Sequence, residues 1–201
     1  MIKYDKIEYQ TYLLKHSRKQ NKGAVGNDTE KTKTYRAEWR FQGQLGDKIK
    51  DFSNIVEAQK YAAKVVKSKT WRKLLDEKDR SLNKVNVVAK KRSTGRNTAG
   101  WARGNTVTLD MMCGLDEYTL LHEMAHCLGN WHHGRSFRRD LLKLVSRFMG
   151  SDAAKVLKAS FKESKLACGE PRKPLSFDAW QAARARAQHM LDVSGPPIKK
   201  V

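Results

Sequence analysis

"LLHEMAHCLGNWHHGRSF", residues 120–137, holds four of the chain's six histidines within twelve positions. The run from Asp116 has a helical interior, with Asp116 suited to cap its start and Gly129 suited to end it. His122 and His126 are four residues apart, so both side chains leave one face of that helix, with Glu123 beside them. In this HExxH spacing two imidazoles grip one ion from one side, and the carboxylate can take a proton from a water on that ion. Two histidines leave the ligand set incomplete. The third is His132 or His133. His132 fits an HxxGxxH extension, in which Gly129 turns the chain so that a later histidine swings back. His133 opens "HGRSF" (133–137), and a helix beginning there puts His133, Phe137, Leu141 and Leu144 on one face. His132 is then rotated by roughly 100°. The face argument favours His133, leaving His132 to support the ligands or face solvent.

The chain around this cluster is very basic. Its 201 residues carry a formal net charge of +20 and are 39% hydrophobic, enough for one compact core with extensions. Residues 1–105 hold 26 Lys and Arg against 11 Asp and Glu, and residues 135–201 hold 15 against 6. Residues 106–134 hold no Lys or Arg and four acids, so the histidines lie in an acidic island that a divalent cation would prefer. Charge of this size favours an anionic partner, nucleic acid above all. Three cysteines without a CxxC pair disfavour a disulfide framework or a Cys-rich zinc ribbon and fit a reducing compartment. The charged N-terminus reads as no signal peptide, and no apolar run reaches ~18 residues, so the expectation is a cytoplasmic protein without membrane contact.

Along the chain, "TYRAEWRF" (34–41) alternates Tyr35, Ala37, Trp39 and Phe41 and reads as a strand. A helix follows from an expected Ser53 N-cap, with Glu57 nearby. "KVNVVAKK" (84–91) and "NTVTLDM" (105–111) read as strands, joined by a basic, glycine-containing loop. Further helices are expected at 135–149, 152–164 and 176–193. The order predicts an α+β fold, a small mixed sheet packed against several helices. Its parts are a basic extension (1–27), a domain (28–169), and a C-terminal linker and helix packing on it (170–201).

"LLHEMAH" followed by "HGRSF" resembles the SprT-like branch of the zincin metallopeptidases, whose pattern is HExxH, a short spacer, then HGxxF or HGxxW. "DTEKTKTYRAE", "EAQKYAAKVV", "AGWARGNTVTLD" and "GSDAAKVLKASF" extend the likeness to a small family of metallohydrolases from actinobacteria and their phages, over roughly 28–165. The resemblance implies a minimal zincin-like domain with Zn2+ held by His122, His126 and His133, and water in the fourth position. It also implies Glu123 as proton shuttle and an edge strand that aligns an extended peptide, for which "NTVTLD" (105–110) is the candidate. The chain departs from the DNA-repair members by lacking their C-terminal zinc ribbon.

Residues 84–103 hold six cations and no acid. Lys90, Lys91, Arg92 and Arg96, with Trp101 to stack on a base, are the expected nucleic-acid contacts. The leading function is a zinc metallopeptidase acting on protein or peptide, including proteins bound to nucleic acid. One alternative is a zinc-dependent endoribonuclease, whose His-x3-His-x5-His spacing His122, His126 and His132 also satisfy. Another is a nucleic-acid-binding or virion structural protein with a non-catalytic zinc.

Overall fold

The computed structural model describes residues 28–78, 80–90, 98–169 and 176–194, with side chains as far as 186. The expected extension (1–27) and linker (170–175) lie outside the described residues. The chain divides into two compact units. One spans Gly26–Glu170, and the other includes the helix Phe177–Ser194. The fold is α+β: among the described residues of the larger unit, six α-helices accompany one three-stranded mixed sheet.

Helix α1 (Lys31–Leu45) occupies the stretch that alternation assigns to a strand. The expectation fails because Thr34, Ala37, Glu38 and Phe41 are the buried positions, at i, i+3, i+4 and i+7, while Trp39 is 66% exposed. Aromatic residues at alternating positions imitated a half-buried strand although two helical faces were involved. Helix α2 (Ile55–Val66) starts one residue later than expected. Asn54 is its cap and accepts the Glu57 N–H at 3.0 Å, while the Glu57 carboxylate accepts from the Ser53 N–H and hydroxyl at 2.9 Å each. Helix α3 (Lys69–Asp76) overlaps "KLLDEKDR" (73–80), whose mixed polar pattern reads as a helix surface. It is a two-turn helix capped by Ser68, and it buries Trp71, Leu74 and Leu75.

Strands β1 (Asn86–Ala89) and β3 (Thr106–Leu109) fall where expected. Strand β2 (Gly100–Arg103) forms inside the stretch read as a loop. The order is β1-β3-β2, with β1 parallel and β2 antiparallel to β3. Strand β3 is therefore central, paired on both sides, and cannot add an extended peptide; the expectation for "NTVTLD" is corrected. The outer edge of β1 is filled by the Gln59 amide, which donates to the Val85 carbonyl at 2.9 Å and accepts the Val87 N–H at 2.6 Å. The Asp110 N–H donates to Ala99 O at 2.8 Å, which sets the alternation of the β2–β3 ladder. Trp101 and Arg103 then bond to β3, and Gly100 and Ala102 turn their N–H and C=O groups to the outer edge.

Helix α4 (Glu117–Cys127) crosses under β2 and β3. Its Asp116 cap accepts the Thr119 N–H at 2.8 Å, and Gly129 ends the segment at φ +92°, as the sequence predicts. There a Cβ would lie 1.9 Å from an Arg80 guanidinium nitrogen. Helices α5 (Arg135–Phe148) and α6 (Ser151–Glu163) complete the layer, α6 packing on both α1 and α5. The core they share with α4 is apolar: Leu120, Leu121, Met124, Phe137, Leu141, Leu144, Leu157 and Phe161 are buried. Against it Phe41 meets Tyr118 with ring centroids 4.8 Å apart, which seats α1 beside α4.

Candidate metal centre

His122 and His126 leave the same face of α4, and His133 comes to them from the turn before α5. The three imidazoles converge through their Nε2 atoms. His133 Nε2 stands 3.2 Å from His122 Nε2 and 3.3 Å from His126 Nε2. Phe137 backs all three rings, at centroid distances of 4.9, 4.5 and 4.8 Å.

Each opposite nitrogen meets an oxygen. His126 Nδ1 donates to the Asn130 carbonyl at 2.6 Å and His133 Nδ1 to Asp28 Oδ2 at 2.5 Å, while His122 Nδ1 lies 3.2 Å from Glu38 Oε1, a carboxyl that burial pushes up to about 8. The hydrogens of His126 and His133 therefore sit on Nδ1, so their Nε2 lone pairs face each other and His122 Nε2. Such a group is repulsive unless a cation lies among them. Metal–nitrogen bonds of about 2.0–2.1 Å at tetrahedral angles place donors about 3.3 Å apart, which matches the observed separations. The three buried or half-buried histidines thus form a site able to hold a metal ion. Burial holds His122 and His126 down to about 3, with Lys31 adding to it for His122 and the neighbouring histidines for His126. Burial and His122 hold His133 at about 4 against the pull of Asp28. All three stay neutral and able to ligate at neutral pH.

His133 reaches the site for a reason other than a shared helical face. It precedes α5, whose N-cap is Gly134. Its backbone is tied down instead: the His133 N–H donates to Asp28 Oδ2 at 3.1 Å, and its carbonyl accepts from Arg138 Nη1 at 2.5 Å and Thr34 Oγ1 at 3.3 Å. Arg138 is 1% exposed and also bonds to the Ala167 carbonyl. His132 stays outside the cluster, its Nδ1 4.0 Å from Asp28 Oδ2.

The turn between the helices rests on a buried polar network. Asn130 Nδ2 donates to the Ala125 carbonyl at 2.8 Å and to Asp140 Oδ2 at 2.9 Å. Lys78 Nζ bonds Asn130 Oδ1 at 2.9 Å and pairs with Asp140 Oδ2 at 2.5 Å. This network positions the carbonyl that orients His126.

Glu123 is buried on α4 and lines the cavity onto which the cluster opens, a space of about 800 Å³. Burial, reinforced by Glu38 and opposed by Lys31, pushes its carboxyl up to about 8. The closest neighbour is β2, where a Cβ on Gly100 would lie 3.0 Å from Glu123 Cγ and 3.1 Å from the Thr108 carbonyl. Glycine at 100 is what lets the edge strand approach the carboxylate. Tyr35 and Lys31 of α1 line the same cavity, with Tyr35 edge-on to His133 at 4.8 Å.

Sequence reasoning found His122, Glu123, His126 and His133 but missed Asp28, Glu38, Tyr35, Asn130 and Arg138. The signal available was the 3–4 spacing of Thr34, Ala37, Glu38 and Phe41, a carboxylate on the buried face of a helix. Of the expected nucleic-acid contacts, Lys90 and Trp101 lie among the described residues. Lys90 is ion-paired with Asp110 at 3.1 Å, and Trp101 lines the metal cavity. Lys91, Arg92 and Arg96 lie outside the described residues. Among the described residues no helix is long and apolar enough to cross a membrane. No known protein family, curated protein or solved structure matches the chain.

Proposed function

We propose that the chain is a zinc-dependent hydrolase of the HExxH type, a metallopeptidase that takes an extended peptide along β2. The observation that carries this reading is the position of Glu123. It shares α4 with two of the three histidines, faces the same cavity, and stands apart from the His122, His126 and His133 cluster. Imidazole donors suit zinc. Structural zinc sites are closed by four protein ligands, whereas three ligands leave a position for substrate or water. Among the described residues no fourth His, Cys, Asp or Glu joins the cluster, which favours a catalytic site over a staple. The resemblance of HExxH and HGxxF to the SprT-like zincins points the same way.

His122, His126 and His133 would hold the zinc ion, which would supply Lewis acidity and lower the pKa of bound water to ~7. The chain's own groups do the rest. The Glu123 carboxylate accepts a proton from the attacking water and returns it to the departing amine, a task suited to a carboxyl poised near neutrality. Gly100 and Ala102 offer outward N–H and C=O groups to pair with a peptide backbone. Trp101 and Trp131, 40% and 76% exposed at the cavity, offer apolar faces to substrate side chains. The endoribonuclease register needs His132 in the cluster, and it lies outside.

The test is incubation of wild type and Glu123→Gln with casein, and separately with labelled RNA and single-stranded DNA, with and without a chelator. Chelator-sensitive casein cleavage that Glu123→Gln abolishes while keeping its zinc is the expected result. Cleavage of RNA alone would install the nuclease reading. No turnover of any substrate by the zinc-loaded protein would reduce the site to a staple.

A further inference from the structure

Two clefts outside the metal cavity meet at Arg147. One, of about 770 Å³, lies among α3, α5 and α6; the other, of about 420 Å³, lies between α2 and the end of α5. Among the described residues, neither shares a lining residue with the metal cavity, and no Asp or Glu lines either. Lys60 and Lys64 on α2 and Lys67 at its C-cap stand at i, i+4 and i+7, a stripe about 10 Å long. Lys73, Arg147 and Lys158 continue it across the larger cleft.

All six are exposed, and none has an ion pair among the described residues. Their neighbours differ: Arg139 is paired with Asp140, Lys143 with Glu77 and Lys155 with Asp152. A band of uncompensated like charge on a chain already at +20 repels itself and favours an anionic partner.

We infer that this band, from Lys60 through Arg147 to Lys158, binds the phosphate backbone of duplex nucleic acid. The choice of duplex rests on what the clefts lack. Among the described residues, Phe148 is the one aromatic lining them and is partly buried, so these linings offer no ring for stacking on unpaired bases. None of the exposed large apolar side chains (Trp39, Val56, Val88, Trp101, Met111, Met112 and Trp131) lies in either cleft, so nothing is offered for insertion into a bilayer. With no side chain aimed at base edges, recognition is of backbone and independent of sequence. Arg147, in the middle of the band, stands about 18 Å along α5 from Arg135, the end of the helix nearest the metal centre. Binding therefore does not depend on whether the metal centre hydrolyses anything.

The experiment is fluorescence anisotropy with a fluorescein-labelled 20-base-pair duplex of arbitrary sequence, over a salt series, on the full chain. Wild type should bind with a log–log salt slope of about −0.9 per phosphate neutralised. Replacing Lys60, Lys64, Arg147 and Lys158 by Gln should weaken binding by at least about tenfold and flatten the slope by about 0.9 for each phosphate no longer neutralised. Metal content and any casein cleavage should be unchanged. Lys60→Gln with Lys64→Gln, and Arg147→Gln with Lys158→Gln, carry the same test as separate double variants should the quadruple one be unstable. Lys60→Arg with Lys64→Arg and Lys158→Arg should bind as wild type. Wild-type affinity and slope in the Gln variants would overturn the inference. So would tighter binding to a single-stranded oligothymidine of equal length, or binding to phosphatidylserine vesicles without binding to the duplex.

Discussion

Glu38 and His122, 84 residues apart in the chain, meet through Oε1 and Nδ1 at 3.2 Å inside the protein. The contact turns the Nε2 of His122 toward the other two histidines. Asp28 does the same for His133 at 2.5 Å. Carboxylates behind metal-ligating histidines fix the tautomer and raise ligand basicity. Glu38→Gln and Asp28→Asn should therefore each weaken metal affinity by about 10–100-fold with the fold retained. Competition with a chromogenic chelator measures it; unchanged affinity in both variants would make the two carboxylates bystanders.

The convergence of Nε2 atoms on His133 separates two variants cleanly. His133→Ala should lose the bound metal, and His132→Ala should keep it, because His132 lies off the cluster with its Nδ1 4.0 Å from Asp28. Metal analysis of the purified variants reads this directly, and the reverse result would restore the HxxGxxH register.

Gly100 is tested by adding one methyl group. A Cβ would press on Glu123 Cγ at 3.0 Å and on the Thr108 carbonyl at 3.1 Å, so strand or carboxylate must shift by some tenths of an ångström. Gly100→Ala should leave metal content intact and slow peptide hydrolysis by up to about a hundredfold, the scale of a misplaced catalytic group. Wild-type turnover in this variant would show that Glu123 tolerates displacement.

Asp140 is fully buried between Lys78, Asn130 and Arg139. Removing it leaves the mostly buried Lys78 ammonium without its carboxylate. Asp140→Ala should lower unfolding stability by about 3–5 kcal/mol, read from urea denaturation. It should also loosen the turn whose Asn130 carbonyl orients His126. A loss below about 1 kcal/mol would mean that water replaces the carboxylate.

Acid should destabilise the metal-free protein. Imidazoles in the unfolded chain take up protons near pH 6.5, whereas burial holds the folded His122 and His126 at about 3 and His133 at about 4. Between those values each imidazole binds more protons in the unfolded state, while Glu38 and Glu123, pushed up to about 8 by burial, bind more in the folded one; three imidazoles outweigh two carboxyls below about pH 6, so stability falls as pH falls from about 6 toward 4. Thermal melting of chelator-treated protein across that range should show a falling Tm, with less of a fall in a His126→Phe variant. A Tm flat from pH 7 to 4.5 would contradict the burial of the three rings.

Residues 120–137 carried the reading of the site because both histidine spacing and helix punctuation are local properties. A four-residue repeat on a helix places two side chains on one face whatever surrounds it, and Asp116 and Gly129 mark the ends by chemistry confined to one turn. The helices at α2, α4, α5 and α6 and the strands β1 and β3 were legible for the same reason. Residues 34–41 were not, because two aromatic-bearing faces of α1 mimic alternation, and only burial of Glu38 with exposure of Trp39 tells a helix from a strand.

What the tertiary structure alone decided is what reaches across the chain. It chose His133 over His132 by tying the residue to Asp28, Thr34 and Arg138, the first two about a hundred residues earlier in the chain. It placed β3 inside the sheet and left β2 at the edge beside Glu123, since strand order is set by pairing and not by the composition of any one strand. It paired Lys90 with Asp110 and gathered lysines from α2, α3 and α6 around Arg147. Charge can be counted along a sequence, but whether it is neutralised depends on which side chains the packed helices bring within a few ångströms.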